Sequence, residues 1–301
     1  AMQRLKEAAE KAKKELSTQQ SIPYKAMYKD GICYGNDGRY SKTVRFYDIN
    51  YQLAMQEDKA AIFENWCDFL NYFDSSIHFQ LSFLNQHINF SEYQKMIDIP
   101  TCGDDFDEIR TEYTHMLQDQ LAKGNNGMHK AKYITFSVEA KNYPEAKVRL
   151  ERIETDVMAN FKVLGVRAES TDGYARLKLM HDTFCSDTRE SFQFDYEYLK
   201  ESGLSTKDFI APTSLNFKPG RYFRMGGNVG AVSYLQITAP ELTDKLLAQI
   251  LDIDSDLILT LHIHIAYFFS LIVLILFYIV LNIQYCFYYF QQIYIIHFLP
   301  Y

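Results

Sequence analysis

The sequence predicts an α+β fold in which split β-α-β units share one mixed or antiparallel sheet with packed helices, followed by an apolar C-terminal tail. Two strand–helix–strand patterns succeed one another along the chain, which indicates the ferredoxin-like arrangement. The chain has 301 residues, 48% of them apolar, so it is long enough to bury one large or two smaller cores. Residues 257–301 carry no Asp, Glu, Lys or Arg, which sets them apart as the tail.

Residues 1–20 are expected to form a helical leader ahead of the main domain. Apolar side chains recur there at helical spacing, namely Leu5, Ala8 or Ala9, Ala12 and Leu16. Because this stripe is mostly alanine and isolated helices of such length are marginal in water, a frayed segment is the alternative interpretation. The α+β domain is expected to cover residues 21–256, with a candidate sub-boundary near residues 185–202.

The first β-α-β unit is predicted from strand 43–49, helix 58–73 and strand 76–84. The last of these strands alternates apolar and polar side chains, so it should have one face in a core. Its apolar side chains are Ile77, Phe79, Leu81 and Phe83, and its polar ones are His78, Gln80 and Ser82. The aromatic rings of the body are expected in the core, including Phe63, Trp66, Phe69, Phe79, Phe83 and Phe161.

Two helices are predicted next, at residues 90–97 and 106–123. The longer helix has an apolar stripe formed by Phe106, Ile109, Tyr113, Met116 or Leu117, and Leu121. Gly124 supplies its C-terminal stop.

A second β-α-β unit is predicted from strand 133–138, helix 144–164 and strand 166–169. Pro144 begins its helix and Gly165 ends it. A helix at 172–184 and an aperiodic connector at 185–202 follow. The remaining elements of the body are strand-like segments at 214–217 and 221–225, a strand at 231–238, a helix at 240–251 and the start of a strand at 256–264.

The net charge of the chain is −7 at pH 7. The first 15 residues hold five basic and three acidic side chains, a contribution of +2, which leaves −9 for the remainder. This acidic body argues against a phosphate-binding surface as the main function, although it is compatible with a local basic patch. Five widely spaced cysteines without a Cys-x-x-Cys pair fit a reducing, cytosolic setting.

No phosphate-binding loop is found in the sequence. A P-loop requires two glycines five residues apart followed by Lys and Ser or Thr, and the chain has neither that glycine spacing nor that ending. The glycine cluster at residues 226–230 is interpreted as a hairpin turn. Residues 124–127, Gly-Asn-Asn-Gly, are interpreted as a chain reversal, with an anion nest as the alternative.

No catalytic, cofactor-binding or metal-ligating residue is expected either. The pairs His181 with Cys185 and His262 with His264 each offer two ligands, whereas zinc needs three or four. Asp48 and Asp208 have no paired base nearby in the sequence. The acids before the longer predicted helix are interpreted as its caps, namely Asp104, Asp105, Asp107 and Glu108.

Several segments occur in the order found in one known family. They are residues 20–24 (QSIPY), 46–54 (FYDINYQLA), 120–127 (QLAKGNNG), 152–156 (RIETD), 203–212 (GLSTKDFIAP), 224–226 (RMG), 230–233 (GAVS) and 239–242 (APEL). Together they resemble the N-terminal region of the large traffic ATPase of conjugative type IV secretion systems, in the branch found on integrative elements of Gram-positive bacteria. The resemblance starts at Gln20 and stops near His262.

This resemblance implies a truncated conjugation ATPase of a mobile element, which retains a non-catalytic assembly domain for DNA transfer and lacks the RecA-like motor. It implies a cytoplasmic location at the inner face of the membrane, with other subunits of the secretion complex as partners, including small inner-membrane subunits. Self-association is the alternative contact, and neither direct nucleic-acid binding nor a small-molecule substrate is implied. Because the nucleotide-binding motifs of the family lie beyond the resemblance, this chain is not expected to be an enzyme.

The tail leaves three interpretations open. Residues 265–281 nearly supply the roughly twenty apolar residues of a membrane span, yet no Lys or Arg flanks them. The tail is therefore interpreted as an aberrant product of a frame change or gene disruption, as a real anchor, or as a buried segment. A membrane-anchored protein-interaction module with a C-terminal transmembrane helix is accordingly the alternative function. An unrecognised hydrolase that uses Asp or His groups is the third.

Overall fold

The computed structural model describes residues 17–49, 55–71, 73, 76–87, 99–124, 128–186, 188–217, 222–235, 249–264 and 289–299. The predicted leader up to residue 16, the short helix at 90–97, most of the helix at 240–251 and the candidate span at 265–281 lie outside these residues.

The described residues form six α-helices and eleven strands. The helices are α1 (Thr18–Ser21), α2 (Gln56–Asn71), α3 (Asp107–Gly124), α4 (Tyr143–Val163), α5 (Gly173–Phe184) and α6 (Tyr196–Ser202). The strands are β1 (Tyr24–Met27), β2 (Cys33–Gly35), β3 (Arg39–Phe46), β4 (His78–His87), β5 (Met128–Glu139), β6 (Ala168–Ser170), β7 (Leu215–Asn216), β8 (Phe223–Met225), β9 (Asn228–Leu235), β10 (Asp256–His264) and β11 (Tyr289–Leu299). Two 3-10 turns span Arg189–Ser191 and Thr206–Phe209.

The strands form one antiparallel sheet in the order β1-β2-β3-β5-β4-β10-β11-β9-β8-β7. Strand β6 pairs with the same edge of β3 as β2 does, beside residues 44–46. The two β-α-β units, β3-α2-β4 and β5-α4-β6, therefore interleave as β6-β3-β5-β4. This order is that of two split units, so the α+β, ferredoxin-like prediction is confirmed.

Helices α2 and α4 pack on one face of the sheet and form the main core. Phe161 of α4 lies at its centre, with ring centroids 5.2 Å from Phe46, 6.0 Å from Trp66 and 5.2 Å from Phe69. The expectation of buried rings is confirmed for most of the predicted positions. It is wrong for Phe63, which is 58% exposed because it lies on the outer side of α2.

The helix boundaries follow the capping signals in the sequence. Asn142 Oδ1 accepts a hydrogen bond from the Glu145 amide at the start of α4, and Gly165 ends that helix with a φ of +71°. Helix α6 lies in the segment predicted as an aperiodic connector. It has the same kind of cap, because Asp195 Oδ1 accepts a hydrogen bond from the Glu197 amide. With seven residues, α6 is too short for an apolar period to reveal it.

Strand β10 places residues 257–264 of the predicted tail in the sheet, between β4 and β11. Its alternate side chains Leu257, Leu259, Leu261 and Ile263 are buried in contact with the main body. For these residues the third interpretation of the tail, a buried segment, describes the structure. Among the helices in the described ranges, none is long and apolar enough to cross a membrane.

Candidate functional site

The face of the sheet opposite α2 and α4 forms the floor of a cleft of about 830 Å³. Strand alternation sends apolar side chains to the core and mainly polar ones to this face. The polar floor consists of Ser41, Thr43, His78, Gln80, Ser82, Tyr133, Thr135, Ser137, Thr260 and His262. The sequence predicted the polar side of β4 but not the cleft above it.

Strand register arranges these side chains in rows that cross the sheet. One row runs through Thr43, Thr135, Gln80 and His262 on four adjacent strands. The hydroxyls of Thr43 and Thr135 are 2.9 Å apart, and Gln80 Nε2 donates to Ser82 Oγ over 3.0 Å. The floor thus presents hydroxyl, amide and imidazole groups, each of which can donate or accept a hydrogen bond.

Helix α5 forms the opposite wall of the cleft. It is anchored by Leu177, which is fully buried in a second core cluster with Ile22, Tyr24, Met27, Cys33 and Ile210. This anchoring leaves the neighbouring side chains Leu179, Met180, Thr183 and Phe184 to line the cleft. The cleft therefore has a polar floor and a largely apolar wall.

Arg176 of α5 lines the cleft and is almost fully buried, with 6% of its surface exposed. Its Nη1 donates to the carbonyl oxygens of Gly31 and Ser41, each at 2.8 Å, and its Nη2 donates to Ser41 Oγ at 3.2 Å. Burial lowers the pKa of the Arg176 guanidinium, but an arginine keeps its proton at physiological pH. Among the described residues, no carboxylate forms an ion pair with it.

The titratable neighbours of Arg176 do not supply a negative charge. Burial raises the pKa of the Cys33 thiol, although Arg176 partly opposes this. Burial also raises the pKa of the Tyr24 hydroxyl, which lies 2.9 Å from Thr206 Oγ1. Both groups are therefore neutral near pH 7, and the charge of Arg176 stays uncompensated by its neighbours.

Helix α3 carries a second notable surface. The predicted apolar stripe is present, but Phe106, Ile109, Tyr113 and Met116 are between 44% and 61% exposed. The helix instead turns Thr114 inwards, where its Oγ1 accepts a hydrogen bond from the Ile99 amide at 3.3 Å. We call the four exposed side chains the α3 seam.

Of the four acids predicted to cap helix α3, Asp104 does so, since its Oδ1 accepts a hydrogen bond from the Phe106 amide at 3.0 Å. Asp107 accepts hydrogen bonds from the amides of Cys102 and Gly103, each at 2.8 Å, and these bonds hold the pKa of Asp107 below its ordinary value. Arg110 donates to both Asp107 and Asp104. These contacts hold the loop before α3 in place, because both carboxylates accept hydrogen bonds from it or from Arg110.

The histidine and cysteine pairs noted in the sequence are not brought together with further ligands. His181 is buried, with its ring centroid 5.0 Å from that of Phe192, and Cys185 lies at the C-terminal cap of α5. His262 lies in the cleft floor. Within the described ranges, no three His, Cys, Asp or Glu side chains form a group that could hold a metal ion.

Other positions singled out in the sequence have structural contacts. Gly226, with a φ of +58°, forms the turn between β8 and β9, so the hairpin interpretation is confirmed. Asp48 pairs with Lys132, and Asp208 accepts from the Ser205 amide at 2.8 Å. Gly124 ends α3, whereas residues 125–127 lie outside the described ranges.

The states of the cysteines differ in part from those expected in a reducing setting. Cys33 and Cys102 are free thiols, and the Cys185 thiol donates to the Ile210 carbonyl oxygen over 3.8 Å. Cys67 on α2 takes part in a disulfide, which the expectation of a reducing setting did not anticipate.

A charged cluster that the sequence did not suggest joins three distant segments. Asp256, at the start of β10, accepts a hydrogen bond from the His87 amide at 2.7 Å and pairs with Arg189. Burial opposes ionisation of this carboxyl, but the His87 amide and Arg189 outweigh burial and hold its pKa below the ordinary value. The partners are 169 and 67 residues away from Asp256 in the chain, so spacing could not have indicated the cluster.

Comparison with known proteins adds no assignment, since neither a known family nor a curated protein matches this chain.

Proposed function

We propose that this chain is the non-catalytic assembly and docking domain of a conjugative type IV secretion ATPase. The order of the eight sequence segments supports the family, and the α3 seam supports a role in protein contacts. The seam is the observation that carries the proposal, because four large apolar side chains, Phe106 directly before α3 and three on α3 itself, are exposed at helical spacing.

The spacing of the seam favours a helix as the partner. Phe106, Ile109, Tyr113 and Met116 are separated by alternating steps of three and four residues. Such a stripe is narrow and typical of a helix that packs against one other helix. Full burial of a Phe, Ile or Met side chain contributes up to about 1.5–3 kcal/mol, so one helix docked here gains a useful affinity.

The charges beside the seam favour a basic partner. Residues 104–119 hold six acidic side chains and one arginine. The cytoplasmic segments of membrane proteins are enriched in Lys and Arg next to their spans. We therefore assign the seam to a basic amphipathic helix of a small inner-membrane subunit. A second copy of α3 is disfavoured as the occupant, because its own acids would repel those beside the seam.

The test is co-flotation of the purified chain with liposomes that contain a small inner-membrane subunit of a conjugative type IV secretion complex. Empty liposomes of the same lipids are the control. Recruitment of the chain is expected only with liposomes that contain the subunit. Ile109→Glu should reduce this recruitment about tenfold or more, which corresponds to a loss of roughly 1.4 kcal/mol in binding free energy. Thr111→Glu, at another exposed position of the same helix, should leave recruitment within about twofold of wild type.

Three results would contradict this assignment. Equal flotation with empty liposomes would point to a lipid contact, and equal flotation of Ile109→Glu would exclude the seam. Loss of self-association in Ile109→Glu without any flotation of the wild type would assign the seam to a second copy. Far-UV circular dichroism checks that both variants keep their helices.

The purified chain is also expected to show no ATP hydrolysis, since the sequence contains no P-loop. Turnover that increases in proportion to chain concentration and survives repurification would contradict the proposal.

The alternative, a membrane-anchored interaction module, rests on the charge-free run at residues 265–281. Truncation at residue 256 is a poor test, because it removes the buried strand β10. The double variant Val273→Lys/Ile275→Lys places two charges in the centre of the run, at a cost of about 2.5–3.5 kcal/mol each in a bilayer. A shift of the chain from the membrane to the soluble fraction would support the anchor, and unchanged fractionation would exclude it.

A further inference from the structure

We infer that the cleft binds a small organic oxyanion, a carboxylate or phosphate with an apolar body, whose charged group contacts Arg176. This inference is independent of the docking role of α3, because the cleft lies on the sheet face beneath α5.

The first argument is the unmatched charge of Arg176. A buried ion normally has an opposite charge or a complete set of hydrogen bonds, since desolvation costs several kcal/mol. Within the described ranges, Arg176 makes three hydrogen bonds, all to uncharged oxygens of Gly31 and Ser41. A guanidinium has five N–H donors, and these three bonds use three of them. An oxyanion satisfies both the charge and the spare donors.

The second argument is the floor beside Arg176. Ser41, which accepts from the guanidinium, is opposite Ser137, and Ser137 is opposite His78. Cross-strand neighbours are about 4.5–5.5 Å apart, so these three polar side chains span roughly 10 Å from the guanidinium outwards. Ser137 and His78 can contribute further hydrogen bonds to the same charged group or to polar atoms next to it.

The third argument concerns charge and shape. Among the described lining residues, Asp37 is the one carboxylate, against the two cations Arg39 and Arg176. The wall facing the floor carries Leu179, Met180 and Phe184, which suit an apolar body. A volume of about 830 Å³ falls within the range of roughly 300–1,000 Å³ in which small-molecule sites occur.

Isothermal titration of the full chain tests the inference with four probes. Hexanoate and hexyl phosphate carry the two candidate head groups on one apolar body, inorganic phosphate lacks the body, and hexylamine reverses the charge. Saturable binding is expected for hexanoate or hexyl phosphate, weaker binding for phosphate, and none for hexylamine. The tighter of the first two identifies the head group.

Two variants locate the binding. Arg176→Gln should lower the affinity for the better probe roughly tenfold to hundredfold, which is the usual effect of losing a hydrogen bond to a charged group. Because that change also disturbs bonds to Gly31 and Ser41, Ser137→Leu serves as a second variant that fills the floor and leaves Arg176 intact. Thr155→Ala, on the exposed side of α4, is the matched control and should bind as wild type does.

The inference is overturned if neither hexanoate nor hexyl phosphate binds, or if hexylamine binds equally well. It is also overturned if Ser137→Leu binds the better probe as tightly as wild type does, whether or not Arg176→Gln folds.

Discussion

Lys42 on β3 and Glu154 on α4 form an ion pair inside the layer between sheet and helix, where their side chains are 7% and 14% exposed. Ser170 on β6 donates to the other carboxylate oxygen, Glu154 Oε1. One buried carboxylate thus joins α4 and β6 of the second β-α-β unit to β3 of the first.

Removing one partner of this pair should be costly. Glu154→Ala leaves the Lys42 ammonium without a counter-charge, so we expect a loss of about 3–5 kcal/mol in the free energy of unfolding, measured by urea denaturation. Glu151→Ala, on the exposed face of the same helix, is the control and should cost less than about 1 kcal/mol. If the double variant Lys42→Met/Glu154→Leu is no more stable than Glu154→Ala, the stranded charge is not the cause.

Gly31 and Gly38 provide a matched pair, since their φ angles are +84° and +85°. A Cβ at residue 31 would overlap the carbonyl oxygen of Thr171, whereas one at residue 38 meets nothing within 4 Å. Both alanine variants have the same backbone strain, but Gly31→Ala adds overpacking of about 1–3 kcal/mol. Thermal unfolding should therefore show a lower Tm for Gly31→Ala than for Gly38→Ala, and equal values would contradict the close approach.

Asp256 should make stability depend on pH in the acid range. Its pKa is lower in the folded chain than in the unfolded one, so its contribution is complete above the unfolded value, about 3.9, and is lost as pH falls through the folded value. Asp256→Asn should therefore destabilise the chain at pH 7 and have a smaller effect near pH 3. Asp252→Asn, a more exposed carboxyl, is the control. An equal effect of Asp256→Asn at both pH values would refute this linkage.

Leu259 tests whether the charge-free segment contributes to the core. This side chain is fully buried on β10, so Leu259→Ala should lower the free energy of unfolding by about 2–5 kcal/mol. Ile253→Ala, three residues before the strand and 43% exposed, should cost much less. Similar denaturation midpoints for wild type and Leu259→Ala would show that β10 is not part of the cooperative unit.

Local signals in the sequence predicted much of the fold correctly. Alternation in residues 76–84 predicted both faces of β4, and Pro144 and Gly165 predicted the limits of α4. These signals succeed because strand pleat and helix caps depend on neighbours a few residues away. The order of two β-α-β units then restricts the sheet to few topologies.

The candidate sites depend on contacts that no local pattern records. In the sequence, Arg176 cannot be distinguished from an ordinary polar residue of a helix. Only the packing of α5 on β1 and β2 buries its charge beside Ser41. The α3 seam has the spacing of a buried stripe, yet its side chains are exposed and Thr114 is buried instead. Periodicity determines which side chains share a face. Which neighbour covers that face is decided by tertiary packing and strand register, and for Arg176 those neighbours lie 145 and 135 residues away in the chain.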